Sequence, residues 1–371
     1  MGKGLHIYLY GWFGYRNLGD DLLLEVMLDR LSALESVAHI EVAMKDSGYL
    51  EAVLQHYPKV STSAKSIRRL FTSSISNDVL VIGPGGLFPH TDPKKVAVFA
   101  TITAIWKLLN RDIAYFLIGA NAKQDFVSRM FWQFIEHMSA LFVPRDSDLI
   151  EATNIVQSAT TYPASDAVLS IEPGAFFEKH ISDKAVAFCF ANLFEEKNES
   201  YSSFVSSCTE IIESAACADN SVSLLSFTDG ADEILNRDIA ERADCSVKVL
   251  DYEQTLREIK SLHDYRLVVG MRFHACVLSI LAQVAVVPIS YSSKTDRLMR
   301  DCGMKEHLSY YCKDTAAYYG KTIPLDKEFI IRQVDSALRD PEKYTCPMSV
   351  VEGLRGKSLM AFDSLKKIME T

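Results

Sequence analysis

The residues best suited to chemistry sit close together around position 272. Met271-Arg272-Phe273-His274 sets a guanidinium two places from an imidazole, and Tyr291-Ser292-Ser293-Lys294 adds a phenol, two hydroxyls and an ammonium shortly afterwards. A planar guanidinium bonds two oxygens of a carboxylate or phosphate at once. An imidazole gives or takes a proton near neutral pH. Together these groups suit an anionic small substrate whose reaction moves a proton. Taken singly, an Arg at a strand end is as readily an ion-pair partner, and a lone His a satisfied polar contact. Their shared placement in an apolar unit that otherwise avoids charge is what marks them.

The elements around them decide where these groups point. Leu267–Val269 reads as a short buried strand closed by Gly270, and Val284–Ile289 as a second, β-branched one. Ala275–Gln283 has helical length, and Lys294–Cys302 reads as a further helix closed by Gly303. A strand-helix-strand-helix unit belongs to a parallel sheet with helices on its faces. Ligands of such sheets bind beyond the carboxyl ends of the strands. Arg272 and His274 are expected at one such end, with Tyr291 and Lys294 at the next. An Arg so placed lies outside the core, so Arg272→Ala is expected to abolish ligand binding and leave the fold intact; a variant that unfolds would make Arg272 a structural ion-pair partner and not a site residue.

The rest of the chain repeats the alternation. Leu5–Tyr10 reads as a strand, and a glycine-bearing loop holding Asn17 leads to a helix over Leu22–Leu34 with Asp20 as its cap. Free amides at such a helix start are receptive to anions. The glycines match neither a dinucleotide fingerprint nor a P-loop, and a tight turn that simply needs glycine is the plain alternative. Asp78–Ile82 runs into Gly83-Pro84-Gly85-Gly86 and on to His90, where backbone can approach a ligand closely. Ile113–Ile118 ends at Gly119-Ala120-Asn121, Ala140–Val143 at Pro144-Arg145, and Tyr162–Asp166 adds one more polar end. Ile171–Asp183 is the expected linker. A second series of strands and helices starts at Ala185, and a helical tail follows Phe329. The expected architecture is α/β: two doubly wound Rossmann-like domains, 1–172 and 183–325, facing a cleft that holds the site, then a helical tail over 326–371.

Composition narrows the partners. With 371 residues, 48% of them hydrophobic and 23% charged, the chain suits a folded protein of two domains. A net charge of −9 argues against nucleic acid, although a few local cations can still hold an anionic substrate. No run reaches the ~18 apolar residues of a membrane-spanning helix. The amino terminus reads as lacking a signal peptide. The eight cysteines show no CxxC pair and no metal-ligand spacing, so a reducing, cytoplasmic setting and no metal are expected.

Four segments taken together resemble the polysaccharide pyruvyl transferase family. They are GWFGYRNLGDD near the start, DVLVIGPGGLF at 78–88, FVPRDSD at 142–148 and the run from Val268 to Leu298, and in order they cover most of the chain up to about residue 303. The last is the most specific, an Arg-apolar-His-Ala element followed by an apolar strand and a Tyr/Ser/Lys turn. The resemblance implies a GT-B-like fold. It also implies transfer of the carboxyvinyl unit of phosphoenolpyruvate to two hydroxyls of a saccharide acceptor, free or lipid-linked, giving a cyclic ketal and phosphate. No cofactor is implied beyond that donor. On this resemblance Arg272 and Arg145 clamp the donor, and His274 is the acid or base. Asp20 or Asp166 accepts the hydroxyl proton, with helix-capping and turn roles the equal alternatives for each, while Lys294 and the amides near Gly85 and Gly86 hold phosphate. Asn17, His90 and Tyr291 are the further substrate contacts. The chain departs from the family pattern at His90, where an acidic residue is usual, at Ile118–Asn121, which is poorer in glycine, and at Ala187–Phe190, which lacks an Arg. A glycosyltransferase using a nucleotide-sugar shares the fold class, and a non-catalytic relative that binds a glycan or a partner is the third reading.

Overall fold

A computed structural model of the protein describes residues 4–88, 92–120, 124–178, 185–217, 220–313 and 321–370. Two compact units make up the chain. The first comprises Met1–Tyr15, Asp20–Ser170 and Leu354–Thr371, and the second Arg16–Gly19 and Ile171–Gly353.

The first unit is built on strands β1 (Leu5–Phe13), β2 (Val37–Met44), β3 (Val60–Ala64), β4 (Val79–Ile82), β5 (Gly85–Phe88), β6 (Asp112–Ala120) and β7 (Leu141–Pro144). They pair in parallel in the order β3-β2-β1-β4-β6, with β5 and β7 both pairing with β6. Helices α1 (Leu18–Ser32), α2 (Pro93–Leu108) and α3 (Phe126–Met138) connect the strands. Strands buried on both faces carry near-continuous apolar runs, and Val79–Ile82 is buried at every position. Tyr8, Leu80, Ile82, Tyr115 and Phe142 from the sheet pack with Phe99, Trp106 and Trp132 from the helices.

Three details differ from the sequence reading. Residues Gly85–Phe88 form a strand on β6 rather than an open loop, with Gly85 opposite Ile118 and Phe88 opposite Ala120. Asp20 lies inside the first turn of α1, not at its cap, because the helix begins at Leu18. Strand β3, VSTSA, is an edge strand with mostly exposed or half-exposed side chains, so it lacks the apolar signal of its neighbours.

The second unit holds β8 (Ala185–Cys189), β9 (Ser221–Leu225), β10 (Val247–Leu250), β11 (Tyr265–Gly270), β12 (Ala285–Ser290) and β13 (Ser309–Tyr310). All pairings are parallel, in the order β10-β9-β8-β11-β12-β13. Counted within the unit this is the 3-2-1-4-5-6 order of the doubly wound fold. Helices α4 (Glu199–Ala216), α5 (Ala231–Arg242), α6 (Phe273–Leu281), α7 (Ser293–Asp301) and α8 (Lys327–Arg339) complete it. Strand order reverses between β8 and β11, where Gly270 pairs with Cys189. The carboxyl ends of that pair are the place such a sheet offers a ligand.

The tail is shared. Helix α9 (Met348–Glu370) runs for 23 residues, and from Leu354 onward it belongs to the first unit. There Phe362 packs on Phe116 with ring centroids 4.9 Å apart, and Ser364 meets the Tyr162 hydroxyl at 2.6 Å. Leu354, Ala361, Phe362 and Leu365 are all buried. Phe362→Ala should therefore lower the unfolding free energy by about 3 kcal/mol, as other truncations of buried aromatics do. Urea midpoints at an unchanged m-value would show it.

Candidate functional site

Construction starts at Asp232, a carboxylate in the first turn of α5 with no exposed surface. A buried charge is tolerated only when paired and fully hydrogen-bonded. One of its oxygens accepts the amides of Phe227 at 3.2 Å and Thr228 at 3.0 Å and the Arg272 Nε at 2.9 Å. The other accepts the Asn192 amide at 3.1 Å and the Arg272 Nη2. Arg272 thus presents its fork to Asp232 and is the N-cap of α6. It does so with its backbone alone, since its side chain makes no capping bond there. Burial opposes the guanidinium charge, but Asp232 and the Tyr291 phenol outweigh it and raise the pKa above the ordinary Arg value. The Arg272 side chain keeps 15% exposure while Asp232 keeps none, so Arg272 is the partly exposed member of the pair.

This corrects the expectation that Arg272→Ala would be silent for the fold. Removing the guanidinium strands a carboxylate inside the second unit, and breaking a buried pair in that way is destabilising.

A short piece of the amino-terminal sequence completes the cluster. Residues Arg16–Gly19 group with the second unit. Asn17 and Thr228 form an antiparallel bridge, and the Leu18 amide donates to the Phe227 carbonyl at 2.9 Å. The Asn17 side-chain amide reaches the Thr228 hydroxyl at 3.3 Å, and Arg16 pairs with Asp229 at 2.9 Å. Asn17 also accepts the Gly19 amide through its side chain at 3.2 Å. A methyl on Gly19 would sit 1.8 Å from Nδ1 of His274. The imidazole therefore occupies the place of a Gly19 side chain, which only glycine allows.

Tyr291 and Lys294 join this group at the end of β12. The Lys294 ammonium lies 5.5 Å from the Phe273 ring centre and 6.0 Å from that of Tyr291. Phe273 in turn meets His274 edge-on at 5.0 Å. The second unit thus gathers Arg272, His274, Tyr291, Lys294 and Asn17 at the reversal point of its sheet. Two cations, an imidazole and a phenol in one place can hold a polyanion and move a proton.

The other expected residues belong to the first unit. Arg145 follows β7, is buried, and pairs with Asp166 at 3.3 Å. Its guanidinium lies against the backbone of Gly119, where a methyl would stand 2.7 Å from Nη2 and 3.5 Å from the Gly86 Cα. Asp166 also accepts the Val168 amide at 3.0 Å, so its carboxylate serves to hold Arg145 and a turn. Asp20 faces Gly85, where a Cβ would stand 3.6 Å from one carboxylate oxygen. Gly86 is exposed with open space at its Cα. His90 and Asn121 lie outside the described residues. Among the described residues no group of three or more His, Cys, Asp or Glu could hold a metal, and no helix is long and apolar enough to cross a membrane.

Sequence reasoning missed Asp232, Thr228, Asp229 and Gly19. The run Thr228-Asp229-Gly230-Ala231-Asp232 carries a signal, two acids at a strand-to-helix hand-over. An acid in a first helical turn is explained by the helix dipole alone, and no local pattern ties it to an Arg forty residues on.

Comparison with known proteins places the chain. The family model for polysaccharide pyruvyl transferase matches residues 17–293. Among curated proteins none matches in sequence at a significant level. Among solved structures, the UDP-GlcNAc 2-epimerase of Methanocaldococcus jannaschii bound to UDP-GlcNAc and UDP is similar over 100% of both chains, with 11% identity and a TM-score of 0.59. The Neisseria meningitidis UDP-GlcNAc 2-epimerase covers 98% of this chain and 99% of its own at 9% identity and a TM-score of 0.54. MurG of Acinetobacter baumannii covers 98% and 99% at 9% identity and a TM-score of 0.52. At such identities the likeness concerns the fold, which is GT-B-like.

Two measurements test the cluster. Arg272→Ala should lower the unfolding free energy by about 3 kcal/mol and Arg272→Lys by less, because Lys restores the charge but not the fork. Equal urea midpoints for Arg272→Ala and the parent would show that the pair contributes nothing. Gly19→Ala should displace one imidazole, so the His274 ring resonances, assigned with His274→Gln, should move more than those of any other histidine.

Proposed function

We infer that this chain, which belongs to the polysaccharide pyruvyl transferase family, moves the carboxyvinyl unit of phosphoenolpyruvate onto two hydroxyls of a saccharide. The two sugar oxygens bond to C2 of the donor and the bond from C2 to the phosphate oxygen breaks. One hydroxyl proton ends on the methylene carbon, which becomes a methyl group, and the other leaves with the phosphate. The product is a cyclic ketal bearing a carboxylate. Charge is conserved, and the barrier lies in protonating an enol ester carbon while a weak alcohol attacks.

The observation that carries the reading is the cluster at the reversal point of the second unit's sheet. Arg272 is held by Asp232 and is the partly exposed member of that pair. A fixed guanidinium recognises a carboxylate or phosphate without first losing rotamer freedom. Lys294, against the Phe273 and Tyr291 rings, adds a second positive charge. His274, seated on Gly19, is the group suited to deliver the proton to the methylene carbon. Tyr291 contributes a hydroxyl that already interacts with Arg272. Arg145, paired with Asp166, supports the reading less directly, through its place against the Gly119 backbone.

The test is thermal unfolding with phosphoenolpyruvate, and separately with UDP and UDP-sugars. A ligand that binds the native state alone stabilises it by about 2.7 kcal/mol at a hundred times its Kd. Phosphoenolpyruvate should raise the midpoint, and Lys294→Ala should reduce that rise. His274→Gln should keep it while slowing phosphate release with acceptor present by at least about a hundredfold, the scale of one acid–base catalyst. Stabilisation by the nucleotides and not by phosphoenolpyruvate would replace this reading with glycosyl transfer.

A further inference from the structure

The amino-terminal motif contains two aromatic residues that the cluster around Arg272 leaves unused. Trp12 and Tyr15 are 41% and 36% exposed, whereas Trp106 and Trp132 have no exposed surface. Their rings stack on each other with centroids 4.4 Å apart and planes 6° from parallel. Phe13, between them, is fully buried, so the chain turns one aromatic into the core and its neighbours out. The turn that brings Tyr15 back onto Trp12 passes through Gly14 at φ +81°. It is pinned by the Lys45 amide on the Phe13 carbonyl at 3.1 Å and the Asp46 amide on the Gly14 carbonyl at 3.2 Å. The pair is therefore set by backbone bonds.

Its position is as telling as its order. Strand order in the first unit reverses between β1 and β4, which pair up to Tyr10 and Ile82. Trp12 stands just beyond that point on the β1 side, so it occupies the ligand edge of the sheet. Lys65, the residue after β3, reaches the same place and donates to the Gly11 carbonyl at 2.6 Å. Its ammonium is 4.2 Å from the Trp12 ring centre, 5.0 Å from that of Tyr15 and 5.0 Å from that of Tyr10. Comparable distances to both members of a stacked pair put the amine beside the pair, not over an outer face. Burial draws its pKa down to about 8, helped by Lys95 and opposed by Asp20.

We propose that the Trp12–Tyr15 pair is the platform on which a sugar ring of the acceptor stacks, with the Lys65 amine donating to a hydroxyl at its edge. The apolar C–H face of a pyranose carries a weak positive charge and suits the negative face of an aromatic ring. Its hydroxyls, which point outward round the ring, need donors and acceptors at the rim, and an amine beside the pair supplies a donor. Two rings make far too small a patch for a protein interface. A saccharide is also the acceptor implied by the family, and here the proposal rests on the functional reading above.

Intrinsic fluorescence is a direct probe, because Trp12 is the exposed member of three tryptophans. Methyl glycosides of glucose, galactose and mannose, together with N-acetylglucosamine and N-acetylmannosamine, serve as ligands. At least one should shift the emission to the blue and protect it from acrylamide, and Trp12→Phe should abolish the response. Saturation-transfer NMR of the same sugar should weaken at least about tenfold in Trp12→Ala, equivalent to 1.4 kcal/mol, while the thermal shift with phosphoenolpyruvate stays as in the parent. The platform is overturned if no sugar alters Trp12, if Trp12→Ala binds sugar as the parent does, or if UDP alone produces the response. Sugar on Trp12 without any effect of phosphoenolpyruvate would instead leave the platform standing and remove the pyruvyl donor.

Discussion

The second unit depends on one buried carboxylate. Asp232 accepts from Asn192 just after β8, from Phe227 and Thr228 just after β9, and from Arg272 just after β11. These are three neighbouring strands of the sheet. A single side chain thus ties three carboxyl ends together, and the bonds answer the desolvation of its charge. Everything else in the cluster is hung on that knot. Thr228 and Phe227 receive the Asn17–Leu18 segment, Gly19 of that segment seats His274, and Arg272 starts the helix that carries the imidazole. Replacing Asp232 would disturb every one of these groups while touching none of the atoms expected to react.

The cations differ in how their charge is answered. Arg272 and Arg145 face acids in buried pairs, which suits a delocalised, permanently charged fork. Lys294 lies instead against the Phe273 ring, where a charge is stabilised without being neutralised, whereas Lys65 stands beside the Trp12–Tyr15 pair, where burial disfavours its charge. An Arg in such a pair acts as a fixed post. For Lys65 a pKa drawn down to about 8 makes its charge responsive near that pH.

Much of the architecture was legible because parallel strands covered on both faces announce themselves as apolar runs. Val79–Ile82 and the two strands flanking α6 stand where their hydrophobicity put them. Strand β3 was hidden because an edge strand with the sequence VSTSA needs only one partner and little burial. Gly85–Phe88 read as a loop because two glycines carry no strand propensity, yet the segment pairs with β6, with Gly85 at φ +113°. Asp20 looked like a cap because the helix start was judged from apolar spacing, and Leu18 extends the helix past it. Arg272, His274, Tyr291 and Lys294 could be grouped from residue type and strand ends alone. Their dependence on Asp232 and Gly19 could not, since a hydrogen bond between residues 40 positions apart leaves no trace in local pattern.

Helix α9 gives the chain an unusual order of assembly. The first unit contains Met1–Tyr15, yet its core also takes in Leu354, Phe362 and Leu365 near the far end. On a ribosome, where domains generally fold in the order they emerge, the core of the half made first is not complete until Phe362 and Leu365 have been made. Phe116, whose ring is covered by Phe362, must wait through the synthesis of the entire second unit.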